Sequence, residues 1–347
     1  MKMKRAMLAF GIAALVLALV SIQVFTVGMA EETSETSQFD VIATAADEYL
    51  NDPDTLFNIS SKDLLAEMLS DKPYTISCQT AEDYATGHVP GAINVSAGSL
   101  FKPENLAKLP EDEQIVACCY TGHTGSQVTA LLNLCGYDAT NLTWGIMGRT
   151  KDTNVANKQF SNPTTDLPTE TTANEATVTY DLPAVDNTSS TDVLEIIRAA
   201  CDNYASDGFK NIKAGDLYEL ITDGDPANDP VILSVRKAED YAKGHIPGAI
   251  NIGFANIAKG ENLPKLNPDK QIVVYCYTGR SGSQATAILN ALGYDATNLL
   301  WGISGWTTDP DIAPKRFDPD TSVDYPFETG AGEEVPTAPS DGGGACG

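Results

Sequence analysis

Most of this chain is written twice. AEDYATGHVPGAINV (Ala81 to Val95) and AEDYAKGHIPGAINI (Ala238 to Ile252) agree at 12 of 15 positions at an offset of 157 residues. CYTGHTGSQ from Cys119 returns at the same offset as CYTGRSGSQ from Cys276, and GYDATNLTWGIMG from Gly136 as GYDATNLLWGISG from Gly293. A period this long exceeds any single supersecondary repeat, so it marks two tandem domains rather than a solenoid. Upstream, Asn58 and Ile59 match Asn211 and Ile212 at an offset of 153, which leaves four extra residues in the second copy. They fall near DGDPAND (Asp223 to Asp229), a composition that suits a surface turn.

Within the second copy, short apolar runs at Val231 to Ser234, Ala249 to Ile252, Ile272 to Tyr275 and Ala296 to Leu299 read as buried strands. Helical spacing at Asp192 to Tyr204, Ala214 to Leu220, Lys237 to Ala242 and Gly282 to Leu292 alternates with them. Such alternation predicts an α/β fold: in each domain, a parallel sheet with helices on both faces. Ligands then bind at the carboxyl ends of the strands, where Cys119 and Cys276 stand.

Ahead of the repeats, Lys2, Lys4 and Arg5 precede a run with no charged residue until Glu31. Residues 1–30 therefore read as an export signal, cleaved near Gly28 and Ala30 or retained as an N-terminal membrane anchor, with the folded part on the periplasmic or extracellular side. The first domain is expected over 38–160 and the second, catalytic one over 191–318. Between them, 161–190 is rich in Thr, Asn and Pro and suits a linker or an extended surface segment. Residues 319–347 are acidic and Gly/Pro-rich, the composition of a flexible tail. With 47 acidic against 22 basic residues, the net charge of −25 excludes nucleic acid as a natural partner.

Seven cysteines form an odd set in domains too large to need disulfide staples. Cys135 and Cys201 lie in helical apolar stripes and read as core thiols. Cys78 and Cys118 face Val235 and Tyr275 in the other copy, and adjacent Cys118 and Cys119 lack chelate spacing, so no metal is expected. Only Cys119 and Cys276 recur. Each is followed by a Gly/Thr/Ser loop running into a helix, so that backbone N–H groups and the positive helix end point at the thiol and favour the thiolate. The cradle alone specifies an anion-handling thiol, not which anion.

Three motifs together, VRKAEDYAKGHIPGAIN, CYTGRSG and NLLWGISGW, resemble the rhodaneses, or thiosulfate sulfurtransferases. The likeness spans Asn58 to Gly148 and Asn211 to Trp306. It implies two tandem domains, each a parallel five-stranded sheet with helices on both faces, and a cysteine that takes a sulfane sulfur from a small donor such as thiosulfate or polysulfide, holds it as a persulfide and passes it to a thiol or cyanide acceptor, without a cofactor. The resemblance assigns Cys276 as nucleophile, Tyr277, Thr278, Gly279, Ser281 and Gly282 to substrate binding, and Arg280 and Arg236 as site cations. Cys119 is the second candidate nucleophile. Three departures follow: Ser234 stands where the family usually carries Asp, Gln79 stands opposite Arg236, and His123 replaces Arg280 in the first copy.

Two other classes remain open at this level. Cysteine phosphatases and arsenate reductases use a related loop but need an arginine six positions after the cysteine, where this chain has Gly125 and Gly282. A non-catalytic module that binds or senses sulfane sulfur needs only the thiols. Among the shared residues, His88 and His245 are expected to tie a turn to backbone, Trp144 and Trp301 to cap the core, and Glu82, Asp83, Glu239 and Asp240 to be solvated first-turn charges. Cys346 sits in a Gly-rich tail that would let it reach Cys276 and accept its sulfur.

Overall fold

The computed structural model describes residues 36–331 except Asp71, Asn162, Thr164, Thr165 and Ser322. The expected export segment and Cys346 lie outside the described residues, and no helix among those described is long and apolar enough to cross a membrane. The first module runs α1 (Gln38–Asn51), β1 (Asn58–Ile59), α2 (Ser61–Ser70), β2 (Tyr74–Ser77), α3 (Ala81–Thr86), β3 (Ile93–Asn94), α4 (Pro103–Leu106), β4 (Ile115–Cys118), α5 (His123–Leu134) and β5 (Ala139–Leu142). The second runs α6 (Val193–Asp207), β6 (Asn211–Ile212), α7 (Ala214–Leu220), β7 (Val231–Ser234), α8 (Ala238–Tyr241), β8 (Ile250–Asn251), β9 (Ile272–Tyr275), α9 (Arg280–Ala291) and β10 (Ala296–Leu299). Both sheets are parallel, as the alternating pattern predicts, and five-stranded, as the family resemblance implies, ordered β1-β5-β4-β2-β3 and β6-β10-β9-β7-β8.

The strand before each thiol, β4 or β9, is central and wholly buried, so the chain leaves it at a fixed point above the sheet. Helix α9 starts at Arg280, two residues before the Gly282 that apolar spacing suggests, and α5 at the matching His123, because Gly279 (φ 86°) and Gly122 (φ 89°) take up left-handed N-cap conformations. Ser281 and Gly282 are therefore helical first-turn residues. Gly282 lies against the sheet: a Cβ there would stand 2.8 Å from Asn298 Oδ1 and 3.4 Å from Cys276 N.

The two modules do not hold separate cores. Their facing sides merge into one apolar cluster in which α5 packs on α9 and α1 on α6, and only the outer faces keep cores of their own. Cys135 and Cys201 are buried core thiols in this cluster, and Cys201 Sγ donates across the module boundary to Leu131 O at 3.8 Å. Each leading helix also reaches the other module: Asn51 Nδ2 donates to Ala255 O at 3.0 Å, and α6 packs on the turn at Ala97–Ser99.

The intermodular segments are exchanged as well. Residues 166–174 lie along the second module, where Glu170 and His245 bond through both backbone groups at 2.9 Å and Gly248 N donates to Glu170 Oε1 at 2.7 Å. The flexible tail expected from residue 319 needs correction in part, because 324–330 make the same contacts on the first module. Glu328 and His88 bond reciprocally at 2.9 Å, Gly91 N donates to Glu328 Oε2 at 2.7 Å, and Tyr325 N donates to Arg149 O at 2.8 Å. These straps are a second repeat, DLPTETTA at Asp166 and DYPFETGA at Asp324.

Candidate active site

The loop after β9 is built from the outside in. The closing motif that follows β10 donates Ile303 N to Cys276 O (2.9 Å) and Ser304 N to Tyr277 O (3.1 Å). With these carbonyls turned outward, the peptide N–H groups turn inward, and Gly279 N donates to Cys276 Sγ at 3.1 Å. The first module repeats the pattern through Ile146 N, Met147 N and Gly122 N, the last at 3.1 Å from Cys119 Sγ. Trp144 (φ 64°) and Trp301 (φ 66°) are the two non-glycine residues with left-handed backbone among those described. Such strain persists where surrounding contacts over-determine it, and here both residues open the clamping motif.

Tyr277 is anchored through its hydroxyl, 2.6 Å from Asp240 Oδ2, and Tyr120 is held the same way by Asp83. Asp83 and Asp240 are therefore not merely solvated helix-end charges. The bond from Tyr120 holds the Asp83 carboxyl below its usual range, and Lys243 followed by Tyr277 does so for Asp240. His88 and His245 tie their turns as expected, with Nδ1 at 2.7 Å from Tyr84 O and 2.9 Å from Tyr241 O.

Arg280 lies close enough to Cys276 for the thiolate to favour its charge, although burial acts first and lowers its pKa. Its guanidinium rests 4.2 Å above the ring of Trp144, from the other module, and Nη1 is buried without an acceptor among the described residues. An orphaned cationic donor beside a thiol is a place for an anionic oxygen.

Arg236 is fully buried and committed to backbone: Nη1 donates to Ile312 O at 3.0 Å and Nη2 to Gly244 O at 2.5 Å. In the first module, Gln79 Nε2 donates to the equivalent carbonyl, Gly87 O, at 3.2 Å. A neutral amide thus performs the same bracing, so the geometry makes Arg236 a strut for the turn rather than a group on the thiol. Arg236→Gln is expected to keep Cys276 reactivity within about fivefold, while Arg236→Ala costs about 3 kcal/mol of stability through unpaired carbonyls and a cavity. Alkylation rates and denaturant titrations check this, and a hundredfold slower Cys276 in Arg236→Gln would make the cation part of the site.

The first module is not without fixed positive charge, as residue-by-residue matching suggests. Arg149, opposite Trp306, is wholly buried and close enough to Cys118 to oppose the upward pull of burial on that thiol. The exchange was visible as GIMGR against GISGW. His123, in contrast, leaves its own site: Nε2 lies 3.2 Å from Thr278 O, and Trp301 N donates to it at 3.3 Å. Burial lowers its pKa to about 4, against an ordinary 6.5. The folded state therefore holds His123 neutral, and the stability this contributes is complete above pH 6.5 and lost as pH falls toward 4. The stability difference between wild type and His123→Phe is expected to narrow by about 3 kcal/mol from pH 7 to pH 4. Denaturant titrations at several pH values measure it, and a constant difference contradicts the assignment.

The Rhodanese-like domain family model matches residues 61–151 and 213–309. Thiosulfate sulfurtransferase GlpE of Pseudoalteromonas translucida is 31% identical over 99 residues, 28% of this chain and 89% of that protein. Thiosulfate sulfurtransferase PspE of Escherichia coli is 39% identical over 73 residues, 20% of this chain and 68% of that protein. Thiosulfate:glutathione sulfurtransferase of Saccharomyces cerevisiae is 26% identical over 105 residues, 27% of this chain and 74% of that protein. Each match is the size of one module. With two matched segments, two parallel sheets and two thiol loops of the same build, this chain belongs to the rhodanese-like domain family, as a tandem of two such domains.

Proposed function

We propose that this protein is a sulfurtransferase that carries a sulfane sulfur on Cys276, from thiosulfate or polysulfide to a thiol or cyanide acceptor. The observation that carries the reading is the thiol itself: Cys276 Sγ accepts from Gly279 N–H at the start of α9, and Arg280, whose Nη1 has no acceptor among the described residues, is close enough to act on it electrostatically. In the first half-reaction the thiolate attacks the outer sulfur of thiosulfate, an Sγ–S bond forms, and sulfite leaves with the electron pair of the broken S–S bond. In the second, the acceptor attacks the outer persulfide sulfur and the Cys276 thiolate leaves. No net oxidation occurs, so no redox cofactor is required. Arg280 orients the anionic donor, and the loop N–H groups of Thr278 to Ser281 stabilise the charge on sulfur.

An oxyanion-hydrolase reading is disfavoured at Gly282, where even a Cβ would crowd Asn298 Oδ1 and Cys276 N, leaving no room for the required arginine. Ping-pong kinetics with thiosulfate and cyanide or glutathione test the proposal. Parallel double-reciprocal lines support a persulfide intermediate, and absence of turnover with every pairing, alongside a stable adduct, supports binding or sensing instead. The basic, then apolar, N-terminus supports placing this activity outside the cytoplasmic membrane. Cell fractionation that finds the protein in the cytosol would refute that placement.

A further inference from the structure

We propose that the first module completes the second module's thiol site, with His123 as a positioning residue for the loop that holds Cys276. The inference rests on the reading of Cys276 as the sulfur carrier and adds a task for the module that has lost its loop arginine. His123 is 2% exposed and bridges two loops. Its Nδ1 lies 2.8 Å from Thr121 Oγ1 in its own loop, while Nε2 crosses to Thr278 O and Trp301 N in the other. The ring also meets Trp301 edge-on, with centroids 4.6 Å apart and planes at 81°.

The Thr278 carbonyl and the Gly279 N–H belong to one planar peptide unit, so fixing the direction of one fixes the other. That N–H is the donor to Cys276 Sγ. A hydrogen bond from imidazole to Thr278 O therefore aims, and polarises, the dipole that stabilises the thiolate. In the alternative tautomer Nε2 accepts from Trp301 N and holds the clamp that turns the Cys276 and Tyr277 carbonyls outward. Either way the imidazole holds the cradle from outside. Approach is so close at Gly279 that a Cβ there would fall within the imidazole ring's van der Waals shell. The reverse contact differs in kind, because Arg280 stacks on the face of Trp144 and its Nη1 finds no acceptor among the described residues. The two halves of the duplication have diverged: one loop residue serves its own thiol, and its counterpart serves the neighbour's.

The test compares full-length wild type, His123→Phe and His123→Gln. Phenylalanine keeps ring volume and the contact with Trp301 but offers nothing to Thr278 O or Trp301 N–H, whereas glutamine places an amide near the position of Nε2. Alkylation of Cys276 by iodoacetamide is followed by peptide mass spectrometry across pH 6 to 10, together with steady-state transfer and thermal unfolding. His123→Phe is expected to slow Cys276 alkylation roughly tenfold near neutral pH, to move the half-maximal pH upward, and to lower kcat with little change in KM for the donor. His123→Gln is expected to recover to within about threefold. An unchanged rate and pH profile in folded His123→Phe overturns the proposal, and so does His123→Gln behaving like His123→Phe. If His123→Phe shows no cooperative unfolding transition, His123→Leu carries the same comparison. Alkylation needs no sulfur donor, so slowed alkylation with no persulfide in wild type would refute the sulfurtransferase reading while leaving the positioning role intact.

Discussion

Replacing Cys276 by serine is expected to abolish sulfur transfer, with a loss of at least about a thousandfold in initial rate, because in the proposed mechanism the persulfide forms on Cys276. Serine keeps the size of the side chain and the hydrogen bond from Gly279 N–H. It cannot accept sulfane sulfur at neutral pH. Cys119→Ser is expected to cost less than about tenfold, since the first loop has the same N–H cradle but turns His123 away from its own thiol. The buried cation of the first module, Arg149, acts on Cys118 instead. Thiocyanate formation from thiosulfate and cyanide measures both variants. A larger loss in Cys119→Ser than in Cys276→Ser would reverse the roles assigned to the modules.

Ending the chain at Phe317 is expected to lower the melting temperature by about 10 °C and to loosen the first module, although the cut lies after the second. The truncation removes the strap that donates Tyr325 N to Arg149 O, bonds His88 through both backbone groups, satisfies Gly91 N and packs Phe327 against the outer core. One partly buried aromatic and several backbone bonds sum to about 3–5 kcal/mol. In hydrogen exchange, the amides of Gly91 and His88 should lose protection first, with those of Gly248 and His245 preserved by the intact strap at Glu170. Unchanged melting and unchanged exchange at His88 would show that the strap is decoration. The same logic predicts that the tandem melts as one unit, since α5, α9, α1 and α6 share a single core.

Local pattern carried most of the fold. The runs at Val231 to Ser234, Ile272 to Tyr275 and Ala296 to Leu299 are strands with those limits, because short apolar segments bounded by turn residues can be buried in few other ways. The start of α9 was less legible, since Arg280 and Ser281 carry no apolar signal and the helix is initiated by the backbone freedom of Gly279. The thiol loop was legible because it recurs. What each loop touches was not, because reach across a module boundary leaves no local trace: His123 reads as a lost arginine, and only the packing of the two modules places it against Thr278. Arg236 misled for the opposite reason. A buried arginine near a thiol suggests catalysis, yet Gln79 does its work in the other copy. The straps were readable in principle as a weaker repeat, but their Thr, Pro and Glu content resembles linker sequence, and only their contacts distinguish the two.

The most direct test of the central claim is peptide-resolved mass spectrometry of the wild-type protein after incubation with thiosulfate. The account predicts a gain of about 32 Da on the peptide containing Cys276, removed by cyanide and absent in Cys276→Ser. A stable adduct confined to Cys119, or no adduct on either thiol while cyanide is still converted, would contradict it.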